Sequence, residues 1–188
     1  MADTNPIYPD TEGFAALASP PALAMSGYEE DRLQSALDAL PDATYREAIE
    51  FSPSVTLFTR KLAQRCTRLI SSATGAPIDA TTLAVGAYDP LAAALIPSAL
   101  PARPFNLIVF SDLLCELNDE ELARVTSYAL ATLAPNGHCL LVHWLNGAGA
   151  KLDGDTAAER LINRAGDAMQ PLLRRRMPHF RVDVLERV

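Results

Sequence analysis

Apolar residues fall along this chain in runs whose length and spacing change from one segment to the next. Over residues 28–40, Leu33, Leu37 and Leu40 recur at spacings of four and three, which puts them on one face of a helix that Pro41-Asp42 ends. Residues 46–51 predict a strand, 68–73 a second and 83–88 a third. Residues 105–110 are an apolar run that stops at Ser111-Asp112. A helix follows over 118–133, with Asn118 as its cap. Asp119, Glu120 and Glu121 in its first turn complement the helix dipole rather than hold a metal. Pro135-Asn136-Gly137 breaks this helix, and 139–144 is the next apolar run. Strand, polar stop, helix, break and strand make a βαβ unit. Runs that are continuous rather than alternating predict strands covered on both faces, as in a parallel sheet.

The flanks are less regular. Residues 1–27 carry many Pro, Ala and Ser and no sustained period, which predicts an N-terminal tail ahead of one domain over 28–188. Gly75 to Asp79 is too short and too broken for a helix, so the connection after the second strand is compact. Residues 91–99 predict a short helical turn. Asp153-Gly154-Asp155 looks calcium-like in isolation, but no ligand loop follows, and it reads as a helix cap. The helix it caps is predicted over 157–176, bent near Pro171, with Arg174-Arg175-Arg176 as its solvated end. Residues 180–187 alternate, with Phe180, Val182 and Val184 on one side, and predict a final antiparallel strand.

Composition narrows the class. With 188 residues, 49% of them hydrophobic, the chain is globular and long enough for one core. A net charge of −7 argues against general nucleic-acid binding. Cys66, Cys115 and Cys139 are odd in number and widely spaced, so buried reduced thiols are expected rather than a metal or redox pair. The start lacks a basic run followed by an apolar core, and no run reaches the ~18 apolar residues that span a bilayer. The expectation, by elimination, is a cytoplasmic protein with no membrane partner.

Ser111-Asp112 and His143 fall at the carboxyl ends of two strands, the edge where open α/β sheets bind ligands. The run Phe-Asn-Leu-Ile-Val-Phe-Ser-Asp-Leu-Leu at 105–114, the acidic helix, Leu-Ala-Pro-Asn-Gly-His at 133–138 and Leu-Leu-Val-His-Trp at 140–144 resemble the second half of a class I S-adenosylmethionine (SAM)-dependent methyltransferase. The His143-Trp144 ending and the tail Phe-Arg-Val-Asp-Val-Leu-Glu-Arg at 180–187 look most like the nodulation protein S (NodS) branch, which methylates the amine of a chitooligosaccharide. The resemblance covers 33–188. It implies a three-layer, Rossmann-like α/β fold, mostly parallel, with an antiparallel C-terminal strand and the helix after strand 2 shortened or missing. It also implies SAM as cofactor and, in an active enzyme, a small amine or sugar-like acceptor.

The resemblance places the cofactor contacts at Glu50, Ser52, Ser54, Thr56, Ala73, Asp89 and Ser111. A working cofactor loop reads acidic-x-Gly-x-Gly-x-Gly. Here Glu50 survives, but Ser52, Ser54 and Thr56 stand at the three glycine positions. A non-glycine residue in left-handed geometry costs ~1–2 kcal/mol, and a domain is stable by roughly 5–15 kcal/mol. The loop is therefore expected on another path, with Ser52 as N-cap and Pro53 at the first helical position. The side chains of Ser54 and Thr56 would intrude on the methionine part of SAM, or their hydroxyls would replace some backbone contacts and preserve weak binding. Ala73 stands where a carboxylate should accept from the ribose hydroxyls, bonds worth about 1.5–3 kcal/mol each. Asp89 falls near the adenine-amine contact, but an Asp before Pro90 also forms turns. Asn106 replaces the family's Asp, and Cys115-Glu116 an aromatic pair that often walls the acceptor pocket.

His143 is the catalytic candidate, with Asp112 at the neighbouring strand end. Amine methylation needs a neutral amine, and a histidine near pH 7 takes the proton. The alternative is a histidine bonded at a strand end beside Trp144; His138 and His179 read as loop or surface residues. Two functions follow. One is a pseudoenzyme with impaired or lost SAM binding, paired with an active methyltransferase relative or with itself. The other is an active SAM-dependent N-methyltransferase acting on an amine or amino-sugar acceptor.

Overall fold

The computed structural model describes residues 27–52, 56–71, 76–78, 103–145 and 150–188. Helix α1 (Gly27–Ala39) leads into β1 (Tyr45–Phe51), α2 (Leu57–Ala63), β2 (Cys66–Ser71) and the short β3 (Ala76–Ile78). Then come β4 (Phe105–Ser111), a 3-10 turn (Leu114–Glu116), α3 (Asp119–Thr132) and β5 (Leu133–Trp144). Helix α4 (Gly154–Ala165), β6 (Met169–Arg176) and β7 (Phe180–Arg187) close the order. The described strands form a seven-stranded sheet, β3-β2-β1-β4-β5-β7-β6. Strands β2, β1, β4 and β5 run parallel, while β7 lies antiparallel to β5, β6 to β7 and β3 to β2.

The central strands are apolar throughout because both faces are covered. On one face Ile49, Phe51, Ile108, Phe110, Leu141 and Leu185 pack beneath α3 and α4, where Leu122, Val125, Ala157 and Leu161 meet them. On the other, Ala48, Leu69, Val109, Leu140, Val142 and Val184 pack beneath Leu33 and Leu37 of α1 and Phe58 and Leu62 of α2. A fully buried Leu or Phe contributes about 1.5–3 kcal/mol, so both helical layers are needed to hold the sheet. Asn118 caps α3 as the sequence predicts: its side chain accepts from Glu121 N–H, and the Glu121 carboxylate accepts from Asn118 N–H at 2.8 Å.

Several expectations need correction. The helix predicted over 157–176 ends at Ala165, where Gly166 turns at φ 52; Pro171 and the arginine triplet lie instead in β6, at the edge of the sheet. An edge strand tolerates Pro171 because its missing N–H is not needed by an inner neighbour. The strand predicted over 139–144 begins at Leu133 and includes Pro135-Asn136-Gly137. Asn136 takes φ 57 there, and pairing with β4 shifts register between Phe105 and Leu107. His138 is buried in β5, with the Tyr45 hydroxyl 3.0 Å from its Nδ1. Cys115 and Cys139 are buried free thiols as expected, but Cys66 is half-buried.

The second strand stops at Ser71, and the broken stretch after it holds β3 rather than a helix. Of the tail predicted over 1–27, Gly27 belongs to α1 and the rest lies outside the described residues, as do the third strand over 83–88 and the turn over 91–99. Among the described residues no helix is long and apolar enough to cross a membrane.

Candidate functional site at the carboxyl edge

Strands β1, β4 and β5 are neighbours, so their carboxyl ends meet at the middle of the sheet. The pairing of Glu50 with Val109 and of Ser111 with Val142 brings Glu50, Ser52, Ser111, Asp112 and His143 to this edge. Ser54, Ala73 and Asp89 lie outside the described residues.

Glu50 is fully buried, and neither carboxylate oxygen makes a hydrogen bond within the described residues. Burial pushes its pKa up to about 7, opposed in part by the Thr59 hydroxyl and the charge of Arg32. Ser52 is buried just beyond it. The helix that follows starts later than predicted: the N-cap of α2 is Thr56, not Ser52. Thr56 has φ −114, an extended conformation, so no left-handed strain arises there. Its hydroxyl accepts from Thr59 N–H, and the Thr59 hydroxyl accepts from Thr56 N–H at 3.0 Å.

Asp112, just past β4, takes φ 55. Its N–H donates to the Val142 carbonyl at 2.9 Å. Its Oδ1 accepts from Trp144 N–H at 3.1 Å, and its Oδ2 accepts from the Arg32 guanidinium at 2.8 Å. Arg32 reaches in from α1, is almost wholly buried, and lies 4.8 Å from the Trp144 ring centroid. That ring also meets Phe180 in an edge-to-face contact, at 6.2 Å and 86°. Arg32 was missed by the sequence reading. The signal was its spacing: Arg32, Ala36 and Leu40 recur every four residues, on the buried stripe of the helix.

His143 points to the opposite face, beneath the start of α4. A Cβ on Gly154 would overlap the Trp144 carbonyl and come within 3.0 Å of His143 Cβ, so only glycine allows this approach. His143 is fully buried, and its two ring nitrogens have no hydrogen-bond partner among the described residues. Burial, reinforced by the charges of Arg32 and Arg181, lowers its pKa to about 3, so the ring is neutral at physiological pH. No hydrogen bond joins it to Asp112: the two lie at one edge, but the structure does not assemble them as a pair.

Beside His143, Arg181 grips the fully buried Asp183 at 2.6 and 3.0 Å and also reaches Asp155 and Glu159 of α4. Arg174 pairs with Glu159 and Arg176 with Asp155. The arginine triplet thus contributes two members to a balanced network that joins α4 to the antiparallel end of the sheet. Among the described residues no group of His, Cys, Asp and Glu could hold a metal ion.

A seven-stranded, mostly parallel sheet with an antiparallel C-terminal pair, helices on both faces and polar residues at the carboxyl edge defines a class: the chain has the fold of the SAM-dependent methyltransferases. Solved structures carry that statement further. A candidate methyltransferase of Pseudomonas syringae is 29% identical at a TM-score of 0.62, covering 86% of this chain and all 100% of its own. The N-methyltransferase NodS of Bradyrhizobium japonicum WM9, in complex with S-adenosyl-L-homocysteine (SAH), is 19% identical at a TM-score of 0.67, covering 94% of this chain and 97% of its own. DhpI, in a complex with SAH, is 13% identical at a TM-score of 0.58, covering 94% of each chain. No protein-family model matches the chain, and no curated protein does.

Proposed function

We propose that this is a methyltransferase-like protein of the NodS type whose SAM binding is impaired or lost. It acts in the cytoplasm as a pseudoenzyme or as the partner subunit of an active methyltransferase, either a relative or a second copy. The observation that carries this reading is Thr56. It stands at the third glycine position of the resemblance, and it and Thr59 cap one another. The first turn of α2 is thereby satisfied by the chain's own hydroxyls, where a donor-binding loop presents bare backbone. The reciprocal cap of Thr56 and Thr59 supports a loop with fewer free backbone groups for the donor. His143, neutral and buried, is no base near pH 7, and Asp112 is already engaged by Arg32 and Trp144.

One observation favours the alternative, an active SAM-dependent N-methyltransferase on an amine or amino-sugar acceptor. Glu50 keeps a fully buried carboxyl whose acceptor capacity the Thr59 hydroxyl does not fill, and such a group is costly unless a ligand meets it.

Thermal shift and calorimetry with SAM and SAH separate the two. A ligand at 100 times its dissociation constant stabilises the folded state by about 2.7 kcal/mol. The pseudoenzyme reading expects no shift at micromolar ligand and at most a weak one at millimolar ligand; a saturable shift at micromolar SAM or SAH overturns it.

A further inference from the structure

We infer that Asp112 and Trp144 form a binding site for a small organic cation, and that Arg32 of α1 occupies this site as an internal ligand. A carboxylate beside the face of an indole is the arrangement that recognises guanidinium and alkylammonium groups, by charge-assisted hydrogen bonding and cation–π attraction. The Arg32 guanidinium makes both contacts: 2.8 Å to Asp112 Oδ2 and 4.8 Å to the Trp144 ring centroid.

The site does not depend on its occupant for its shape. Backbone bonds hold the carboxylate: Asp112 N–H to the Val142 carbonyl at 2.9 Å and Trp144 N–H to Asp112 Oδ1 at 3.1 Å. Phe180 braces the indole from β7. Both acceptors are anchored in the sheet, whereas the cation comes from a separate helix through a long side chain. The Asp112 side chain is still 24% exposed beside a nearly buried Arg32, so solvent reaches the carboxylate with the helix in place. Withdrawal of Arg32 leaves a part-buried carboxylate short of its cation beside a braced ring, whose complement is a planar or methylated cation. An external cation and the Arg32 side chain therefore compete for one position, while Leu33 and Leu37 keep α1 packed on the sheet. This inference is independent of whether SAM binds.

The chain contains one tryptophan, and it is Trp144, so intrinsic fluorescence reports on the site alone. The experiment titrates methylguanidinium into full-length wild type, Arg32→Ala and Arg32→Ala/Asp112→Asn. Saturable quenching or shift of Trp144 emission is expected in Arg32→Ala at millimolar probe. Binding should be about tenfold weaker in wild type and in the double variant, the equivalent of ~1.4 kcal/mol. Equal responses in all three proteins, or none in Arg32→Ala, overturn the proposal. If Arg32→Ala unfolds, the readout becomes its thermal midpoint, with Arg32→Met as a second variant that keeps the apolar stem. Methylguanidinium must then raise the midpoint of either single variant but not of its Asp112→Asn double. No difference between single and double rejects the site.

Discussion

His143 and Glu50 are both fully buried, yet acid affects them oppositely. His143 titrates at 6.5 in an open chain and about 3 in the fold. Between those values the unfolded chain binds the proton, so stability is complete above pH 6.5 and falls as pH drops toward 3, by up to ~1.4 kcal/mol per pH unit. Glu50 moves from 4.5 to about 7, so there the folded state holds the extra proton, and its contribution is lost as pH rises from 4.5 through 7. Urea denaturation of His143→Gln should show a shallower loss of stability below pH 6.5 than wild type. Glu50→Gln should raise the thermal midpoint at pH 8 more than at pH 4, because only the charged carboxyl is penalised there. A third substitution tests the pair beside them. Asp183→Ala leaves Arg181 buried without its bidentate partner and should cost ~3–5 kcal/mol in urea unfolding. All four residues stand in the sequence as strand-end or strand positions. Their ionisation does not: Glu50 depends on burial beside Thr59 of α2 and Arg32 of α1, and His143 on α4, which can come that close only at Gly154.

Among the elements, α3 was the most legible: Asn118 and three acids announce its start, and its capping box is wholly local. The stretch after α4 was the least. Ala158, Leu161, Ala165, Met169 and Leu172 continue at helical spacing, so the pattern alone extends the helix through Pro171. Gly166 stops it, at φ 52 and ψ −140, a region essentially closed to side-chain-bearing residues. Gly166→Ala should therefore lower stability by about 1–3 kcal/mol on thermal unfolding, although a new Cβ would meet nothing within 4 Å. Once β6 pairs with β7, Arg174 and Arg176 fall on one face and meet Glu159 and Asp155. That two-residue period has no meaning until the partner strand is in place. The start of α2 was placed too early for a similar reason. Ser52-Pro53 is a good local helix start, but Thr56 and Thr59 offer a reciprocal cap.

For the molecule as a whole, the two opposed titrations sum. Between pH 4.5 and 6.5 the contributions of His143 and Glu50 offset one another, and below 4.5 the histidine drives unfolding together with Asp153 and Glu159, whose carboxyls are held below their usual range by Thr156 and by Arg181. Urea midpoints taken across this range should be flat above pH 4.5 and fall below it; a single steady slope would contradict the burial of one of the two. The α/β class, the parallel centre, the antiparallel final strand and the polar ends of β1, β4 and β5 were all readable from the chain. Apolar runs, alternation and local caps depend on near neighbours, and near neighbours are written in order. The burial that neutralises His143, the strand partner that turns the arginine triplet into an edge, and the guanidinium of Arg32 against Asp112 could come only from the folded molecule. Arg32 and Asp112 are 80 residues apart, and such contacts exist only after the layers have packed.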